Sequence, residues 1–393
     1  MKPKITVAGH VCLDITPRIP SHGARKIDNV LSPGKLLTLD GVTFTAGGVA
    51  GNTGLALLAL GAETDIRAIC GKDLFGDALS GIFASHGAAN CLSKHSGLTT
   101  SFTIVLSAAG FDRIFLHESG ANDFFTADDI NYDRLSPGDI FHFGYPTIMK
   151  EMRRGGGEEL VRMFSKAKKR GTLTSMDLTL PDSESEAGGC DWKQILENVL
   201  PYVDFFTPSY EEILFMLDRD GYGRFRQMPF RSDPLENLDT DSLCALGGGI
   251  LQLGARTALI KCGIRGMYLK TAEDVGSINY KSVYQWSNRE LFCPSFKVDR
   301  VVSATGAGDS AIAGFLMSVM KGEPPEFALR TAAAVGARSV KAADSFSAVG
   351  CFEDVQKFSQ TADLKKCPPL GNHWEKVAES GIWRRTQCDD EGK

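Results

Sequence analysis

Short runs of apolar and β-branched residues alternate along this chain with longer stretches of helical period. The runs at 4–9, 65–70, 101–107, 113–117, 140–144, 172–177, 203–207 and 257–261 predict strands. Between them, residues 49–60, 74–86, 149–169, 209–217 and 242–253 carry apolar side chains every three or four positions and predict helices. Strand–helix–strand alternation at this spacing predicts βαβ units. The expected fold is therefore a three-layer α/β/α arrangement around a mostly parallel central sheet.

Two places break the alternation. Residues 21–45 are polar and offer a strand-like piece at 35–39 before any helix begins. Residues 101–117 read as a hairpin turning at Ala109-Gly110-Phe111-Asp112. Both predict extra strands outside the main sheet, placed as a small β lid within 12–46 and 98–120. The segment 218–241 is rich in Gly, Arg, Pro and Asp without a period and predicts an exposed insertion. Regularity fades past residue 350, so the expected division is a main domain over 1–350 and a C-terminal appendage over 351–393 with a frayed tail.

Charge narrows the functions. Forty-three basic against 48 acidic residues give a formal net charge of −5, which argues against a nucleic-acid partner reached through a basic face. No apolar run approaches the roughly 18 residues of a membrane span, and the first residues read as a strand, so a cytoplasmic protein without a membrane partner is expected. The ten cysteines include no C-x-x-C pair, and the seven histidines form no H-x-x-x-H or Cys/His cluster. A disulfide framework and a dedicated zinc site are both unexpected.

Chemistry concentrates at glycine-rich helix starts. In Thr305-Gly306-Ala307-Gly308-Asp309, small residues precede an apolar helical run. Backbone N–H groups at such a start form a nest for an anion, phosphate above all. A carboxylate repels an anion, so Asp309 needs another task, such as accepting the proton of an attacking hydroxyl. A plain glycine-rich helix cap is the competing reading. Gly47-Gly48-Val49-Ala50-Gly51-Asn52 opens a second helix, and Asn52 brings both a donor and an acceptor. Asp14 follows the first strand, where ligands of parallel sheets bind, and a carboxylate there can accept two hydroxyls of a diol. Neither a G-x-x-x-x-G-K-[ST] phosphate loop nor a G-x-G-x-x-G start after the first strand is present.

Taken in order, these pieces resemble the PfkB (ribokinase-like) family of carbohydrate and nucleoside kinases. The resemblance covers roughly residues 4 to 345. Besides the three motifs above it includes Gly71-Lys72-Asp73-Leu74-Phe75-Gly76, Gly120-Ala121-Asn122, Pro208-Ser209-Tyr210-Glu211-Glu212 and Lys261-Cys262-Gly263-Ile264-Arg265-Gly266. It implies a ribokinase-like fold and transfer of the γ-phosphoryl group of ATP to a hydroxymethyl group of a small sugar or polyol. By the same resemblance Asp309 is the base, and the amides of Gly306, Ala307 and Gly308 form the anion hole. Asp14, Gly47, Gly48, Asn52 and Asn122 match substrate-binding positions. Ser209, Lys261, Gly263 and Gly266 match the nucleotide wall, and Glu212 matches the acid that organises Mg²⁺. A homodimer through the lid is also implied.

Three stretches depart from the family pattern. Ser303-Ala304-Thr305 stands for Asp-Thr-Thr, Ser209-Tyr210-Glu211-Glu212 for Asn-x-x-Glu, and Asp177-Leu178-Thr179 for Asp-x-Asn. All lie on the phosphate and ion side of the expected site. ATP and Mg²⁺ are the implied cofactors, whereas a monovalent cation is in doubt because Ser303 has no charge. A nucleoside kinase and a catalytically weak sugar-binding or regulatory protein stay open as alternatives.

Overall fold

The strand Ile5–Gly9 (β1) sends Ile5 and Val7 to one face of a sheet and Ala8 to the other, the two-residue period of a strand buried on both sides. The structure, a computed structural model, describes residues 3–20, 32–108, 111–227, 240–276, 286–367, 370–371 and 373–386. Around β1 the main sheet gathers Thr64–Gly71 (β4), Leu92–His95 (β5), Ile140–Gly144 (β8), Leu173–Asp177 (β9), Phe205–Phe206 (β10) and Thr257–Lys261 (β11). These strands pair in parallel, with Ile5 opposite both Thr64 and Ile140. Gly266–Thr271 (β12), Glu290–Pro294 (β13), Trp374–Lys376 (β14) and Trp383–Arg385 (β15) extend one edge antiparallel.

Helices cover both faces. One hydrophobic core joins the sheet to Gly48–Ala59 (α1), Leu74–Ser85 (α2) and three helices from the last quarter of the chain. The other joins it to Glu158–Lys169 (α3), Trp192–Val199 (α4), Tyr210–Leu217 (α5), Arg219–Arg226 (α6) and Thr240–Gln252 (α7). Helices α8 (Ala307–Met320), α9 (Pro325–Ser339) and α10 (Phe352–Thr361) complete the first layer. The three-layer α/β/α expectation holds.

Cys12–Pro17 (β2), Val42–Gly47 (β3), Phe102–Ala108 (β6) and Phe111–Glu118 (β7) form a separate four-stranded sheet in the order β3-β2-β6-β7. Its register sets Asp14 opposite Thr103 and Thr103 opposite His117 across three strands.

Several expectations need correction. Residues 35–39 are not a strand: Leu36 is 86% exposed, and the strand that pairs with β2 is β3, setting Thr45 opposite Asp14. Residues 21–31 of that segment lie outside the described residues, as do 109–110 of the hairpin turn. The helix expected over 149–169 is broken after Lys150–Arg153, because Gly155, Gly156 and Gly157 all take positive φ and α3 restarts at Glu158. In the 218–241 insertion, α6 forms and α7 begins, while 228–239 lie outside the described residues. Beyond residue 350 the chain supplies α10 and the edge strands β14 and β15; the tail 387–393 lies outside the described residues.

Candidate active site

The carboxyl ends of β1, β8, β9 and β11 meet the N-termini of α1, α5 and α8, the place where ligands bind in open α/β sheets. Two cavities adjoin there. The larger, about 700 Å³, is lined among others by His10, Asp14, Gly48, Asn52 and His117. The smaller, about 280 Å³, is lined among others by Ser209, Glu212, Lys261, Gly263 and Gly308. Tyr145 and Gly306 line both, and Asp309 lines the smaller one at this junction.

Asp309 is buried in the first turn of α8. Its Oδ2 accepts hydrogen bonds from Asn52 Nδ2 at 3.0 Å and from the Tyr145 hydroxyl at 2.7 Å. Among the described residues its Oδ1, which is buried, has no partner. Burial, reinforced by the neighbouring Asp177 carboxylate, pushes Asp309 up to about 7, while Lys261, Tyr145 and Asn52 pull the other way. Asn52 is held in turn by Ser345, whose hydroxyl donates to Asn52 Oδ1 at 2.7 Å. Gly306, at φ +70°, permits this closeness: a Cβ there would lie 2.9 Å from Asn52 Cγ and 2.4 Å from Ser345 Cβ.

Gly306 is the N-cap of α8, and Ala307 and Gly308, with which it was expected to form an anion hole, are the helix's first two residues. The Ala307 amide bonds to Ala304 O at 3.3 Å, so in this state the nest is closed on its own turn at that position. Upstream, Ser303 Oγ accepts from the Thr305 amide at 3.2 Å, and Arg113 of β7 donates to Thr305 Oγ1. A cation from the four-stranded sheet thus touches the loop.

At the smaller cavity, Lys261 Nζ donates to Asp177 Oδ1 at 2.6 Å. Burial opposes the lysine's charge, but Asp177, Glu212 and Asp309 together keep its pKa above the ordinary value. Burial also raises Asp177, against the pull of Lys261, and raises Glu212 to about 7. Ser209 and Glu212 form a reciprocal cap at the start of α5: Ser209 N donates to Glu212 Oε2 at 2.6 Å, and Glu212 N donates to Ser209 Oγ at 3.2 Å. Three acids therefore share one lysine, and Asp177 Oδ2 is buried without a partner.

On the opposite side Asp14 points into the larger cavity. Gly47 clears its carboxylate, since a Cβ there would sit 2.3 Å from Asp14 Oδ2. Gly48, at φ +73°, similarly leaves room for His10. Burial raises Asp14 to about 6, partly offset by hydrogen bonds from Cys12 and Thr103.

Four of the predicted residues line neither cavity: Gly47 and Ala307 sit beside lining residues in the two helix starts, while Asn122 and Gly266 stand apart. The fully buried Asn122 accepts from Val11 N at 3.1 Å and donates to Val11 O and Ser119 O, which ties the β1–β2 turn to the 3₁₀ segment Gly120–Phe124. Gly266 opens β12 at φ +123°, where a Cβ would meet Cys293 O at 2.0 Å. The structure also brings in residues the sequence reading passed over: Tyr145, His10, His117, Arg113 and Ser345. For Tyr145 there was a signal, since Gly144-Tyr145-Pro146 ends a parallel strand at the ligand edge of the sheet.

The comparisons identify the family and the fold. The family described as "pfkB family carbohydrate kinase" matches residues 2–347. A probable fructokinase of Arabidopsis thaliana is 26% identical over 311 residues, covering 77% of this chain and 82% of its own. A fructokinase of Solanum tuberosum is 30% identical over 176 residues, 43% of this chain and 54% of its own. Among solved structures, a fructokinase from Xylella fastidiosa with bound ATP superposes with a TM-score of 0.66 at 20% identity, covering 92% of this chain and 99% of its own. A ribokinase from Thermotoga maritima gives 0.65 at 20% identity, covering 91% and 99%. With a family match over nearly the whole chain and a buried acid where two cavities meet, the protein belongs to the pfkB family of carbohydrate kinases and is a phosphotransferase acting on a sugar.

Proposed function

We propose that this kinase transfers the γ-phosphoryl group of ATP to a hydroxymethyl group of a small sugar or polyol, with Asp309 as the base. The observation that carries this reading is the division of labour within one carboxylate. Asp309 Oδ2 is fixed by Asn52 and Tyr145, and Oδ1 is buried and unpartnered at the junction of the two cavities. The sugar lies in the larger cavity against Asp14 and Asn52, and ATP enters from the smaller one along Lys261 and Gly263. The attacking hydroxyl oxygen bonds to the γ-phosphorus, the bond from that phosphorus to the β,γ-bridging oxygen breaks, ADP leaves, and the hydroxyl proton passes to Asp309 Oδ1. A pKa near 7 places the base where it is both ionised and basic enough at neutral pH. The helix dipole of α8 and the amides at Gly306 to Gly308 balance charge on the phosphoryl oxygens.

The acids on the nucleotide side fit Mg²⁺, a hard cation that prefers carboxylate oxygens. Glu212 and Asp177, whose Oδ2 has no partner, would hold it, and its role is to neutralise phosphate charge. The four-stranded sheet serves as the lid. Its face turned from the cavity leaves Val42, Phe44 and Leu116 exposed, and a homodimer through that face covers them.

The deciding experiment is an ADP-release screen with ATP, Mg²⁺ and a panel of sugars, polyols and nucleosides. Turnover with a sugar or polyol supports the reading. Turnover with nucleosides alone makes the chain a nucleoside kinase, and saturable sugar binding without ADP release makes it a binding protein.

A further inference from the structure

The β1–β2 turn places His10 and Cys12 two residues apart on the wall of the larger cavity, and β7 brings His117 to the same spot across the Asp14–Thr103–His117 row. His10 Nε2 and His117 Nε2 lie 3.3 Å apart, and the Cys12 sulfur is within 4.8 Å of both ligand nitrogens. Two nitrogens at about 2.0–2.1 Å from one tetrahedral centre are separated by about 3.3–3.4 Å, so the imidazole pair already spans one edge of a zinc-like site. His10 and Cys12 are buried, at 1% and 3% exposure, and His117 opens onto the cavity, which leaves an entry path. We propose that His10, Cys12 and His117 bind a thiophilic divalent cation of the zinc class, and that the bound ion shuts the sugar cavity.

The surroundings of the trio support a ligand set over a chance cluster. Thr103 Oγ1 lies 3.0 Å from His117 Nδ1 and donates to Cys12 Sγ at 3.5 Å, so it can accept from Nδ1–H and leave Nε2 facing His10, the outer contact that metal-bound histidines usually have. Burial keeps His10 well below the ordinary histidine range and lowers His117 to about 4, so both rings are neutral and free to ligate at neutral pH. The two Nε2 atoms lie at hydrogen-bond distance while His10 Nδ1 is buried and finds no partner among the described residues, so one proton lies between the Nε2 atoms in the metal-free site and a bound cation takes its place. Softness decides which cation: a thiol and two imidazoles suit zinc-class ions and not Mg²⁺. Cys12 loses its proton on binding. Its sulfur already lies 3.2 Å from Asp14 Oδ1, so an ion held there competes with the sugar hydroxyls for the Asp14 carboxylate. That competition rests on the sugar-kinase reading; metal binding itself does not.

The test titrates the metal-stripped full chain with Co²⁺ and then displaces it with Zn²⁺, reading the thiolate-to-cobalt charge-transfer band. One equivalent bound is expected. Cys12→Ser should abolish the band, and His117→Asn should weaken binding by at least about tenfold. Cys351→Ser, which removes an exposed thiol elsewhere, should leave both unchanged. Thermal melting in chelator shows that each variant is folded, and Thr103→Val provides a milder change of the same site. The absence of a band in the parent, or a band that survives in Cys12→Ser, overturns the site. In Mg²⁺-ATP assays, Zn²⁺ should raise the sugar KM and a zinc-selective chelator should restore it; an unchanged KM with metal bound overturns the blocking role. If the zinc-free protein phosphorylates no sugar, the kinase reading fails while the cobalt titration still decides the metal site.

Discussion

At the scale of single residues, the proposed base Asp309 divides the tasks of its two oxygens. Asp309→Asn keeps the contacts of Oδ2 approximately in place but removes the proton acceptor. The rate should fall by about 10²–10⁴ with ATP affinity little changed, as read by steady-state kinetics and calorimetry. The same variant should be more heat-stable. A carboxyl raised from 3.8 to about 7 binds its proton more tightly folded than unfolded, so its contribution to stability is fully present below about 3.8 and is lost as pH rises toward 7. The gain in Tm of Asp309→Asn over the parent should therefore grow between pH 4 and pH 7. Tyr145→Phe removes a hydrogen bond that favours the ionised carboxylate, so the acid limb of the kcat profile should move to higher pH, by about one unit for a charged hydrogen bond of roughly 1.5 kcal/mol. Ser303 carries a prediction about ions. Its hydroxyl accepts the Thr305 amide, so the loop before the anion hole is held by its own hydrogen bond and not by a charge at that position. Rates in sodium, potassium and large organic-cation buffers at equal ionic strength should match, and potassium activation should emerge only in Ser303→Asp. Asp309, Asn52, Asp14 and Glu212 were legible in the sequence because each follows a strand or helix boundary with a readable motif. Tyr145 was marked only by its place after a parallel strand, and His117 and Ser345 were not legible, since they reach the site through tertiary contacts that no local pattern encodes.

At the scale of elements, two helix starts do most of the positioning. α1 begins at Gly48 and α8 at Ala307, and the residues capping or opening them, Gly48 and Gly306, both have positive φ. Adding a methyl at Gly306 forces a left-handed side-chain residue and pushes on Asn52 and Ser345 together. Gly306→Ala should lower kcat more than it raises the KM for ATP, because it displaces the Asn52 amide that holds Asp309; an unchanged kcat in a folded variant would contradict this coupling. The parallel strands β1, β4, β8, β9, β10 and β11 were legible because each is a short apolar run bounded by turn residues, whereas the edge strand β5, LSKH, was missed because it is polar and only half-buried. β12 and β13 were missed: GMYLKT mixes polar and apolar residues at the antiparallel side of the sheet, and ELFCP is short. β3 was displaced in the reading because Leu36 and Leu39 look like strand residues but have no core to enter, whereas the partly exposed VTFTAG gains its place by pairing with β2.

At the scale of the whole molecule, the chain divides its work between the two ends of one sheet. The residues lining both cavities all precede residue 310, while the segment after 350 serves the far edge. There β15 pairs with β13, Leu291 opposite Arg384 and Phe292 opposite Trp383, and Arg385 forms an ion pair with Glu290 at 3.1 Å. Ile382 is fully buried, Ser380 O accepts from Arg330 of α9, and Trp374 and Trp383 pack on the second core. Nothing in the sequence past residue 350 announces this, because three-residue strands are too short to show a period. We propose that this C-terminal segment is a stabilising appendage to the kinase domain. Removing residues 371–393 strips β13 of its neighbour and exposes Phe292 and Arg330. Full burial of one large apolar side chain is worth roughly 1.5–3 kcal/mol. For a chain of this size each kcal/mol moves Tm by about 2–4 °C or less, so a drop of several degrees is expected. The uncovered edge strand should also increase aggregation on heating. Well below that Tm, kcat and both KM values should stay within about twofold of the parent, because neither cavity loses a lining residue. A truncated chain that melts like the parent would deny the segment its structural role, and a folded one with tenfold less activity would place it in the catalytic assembly.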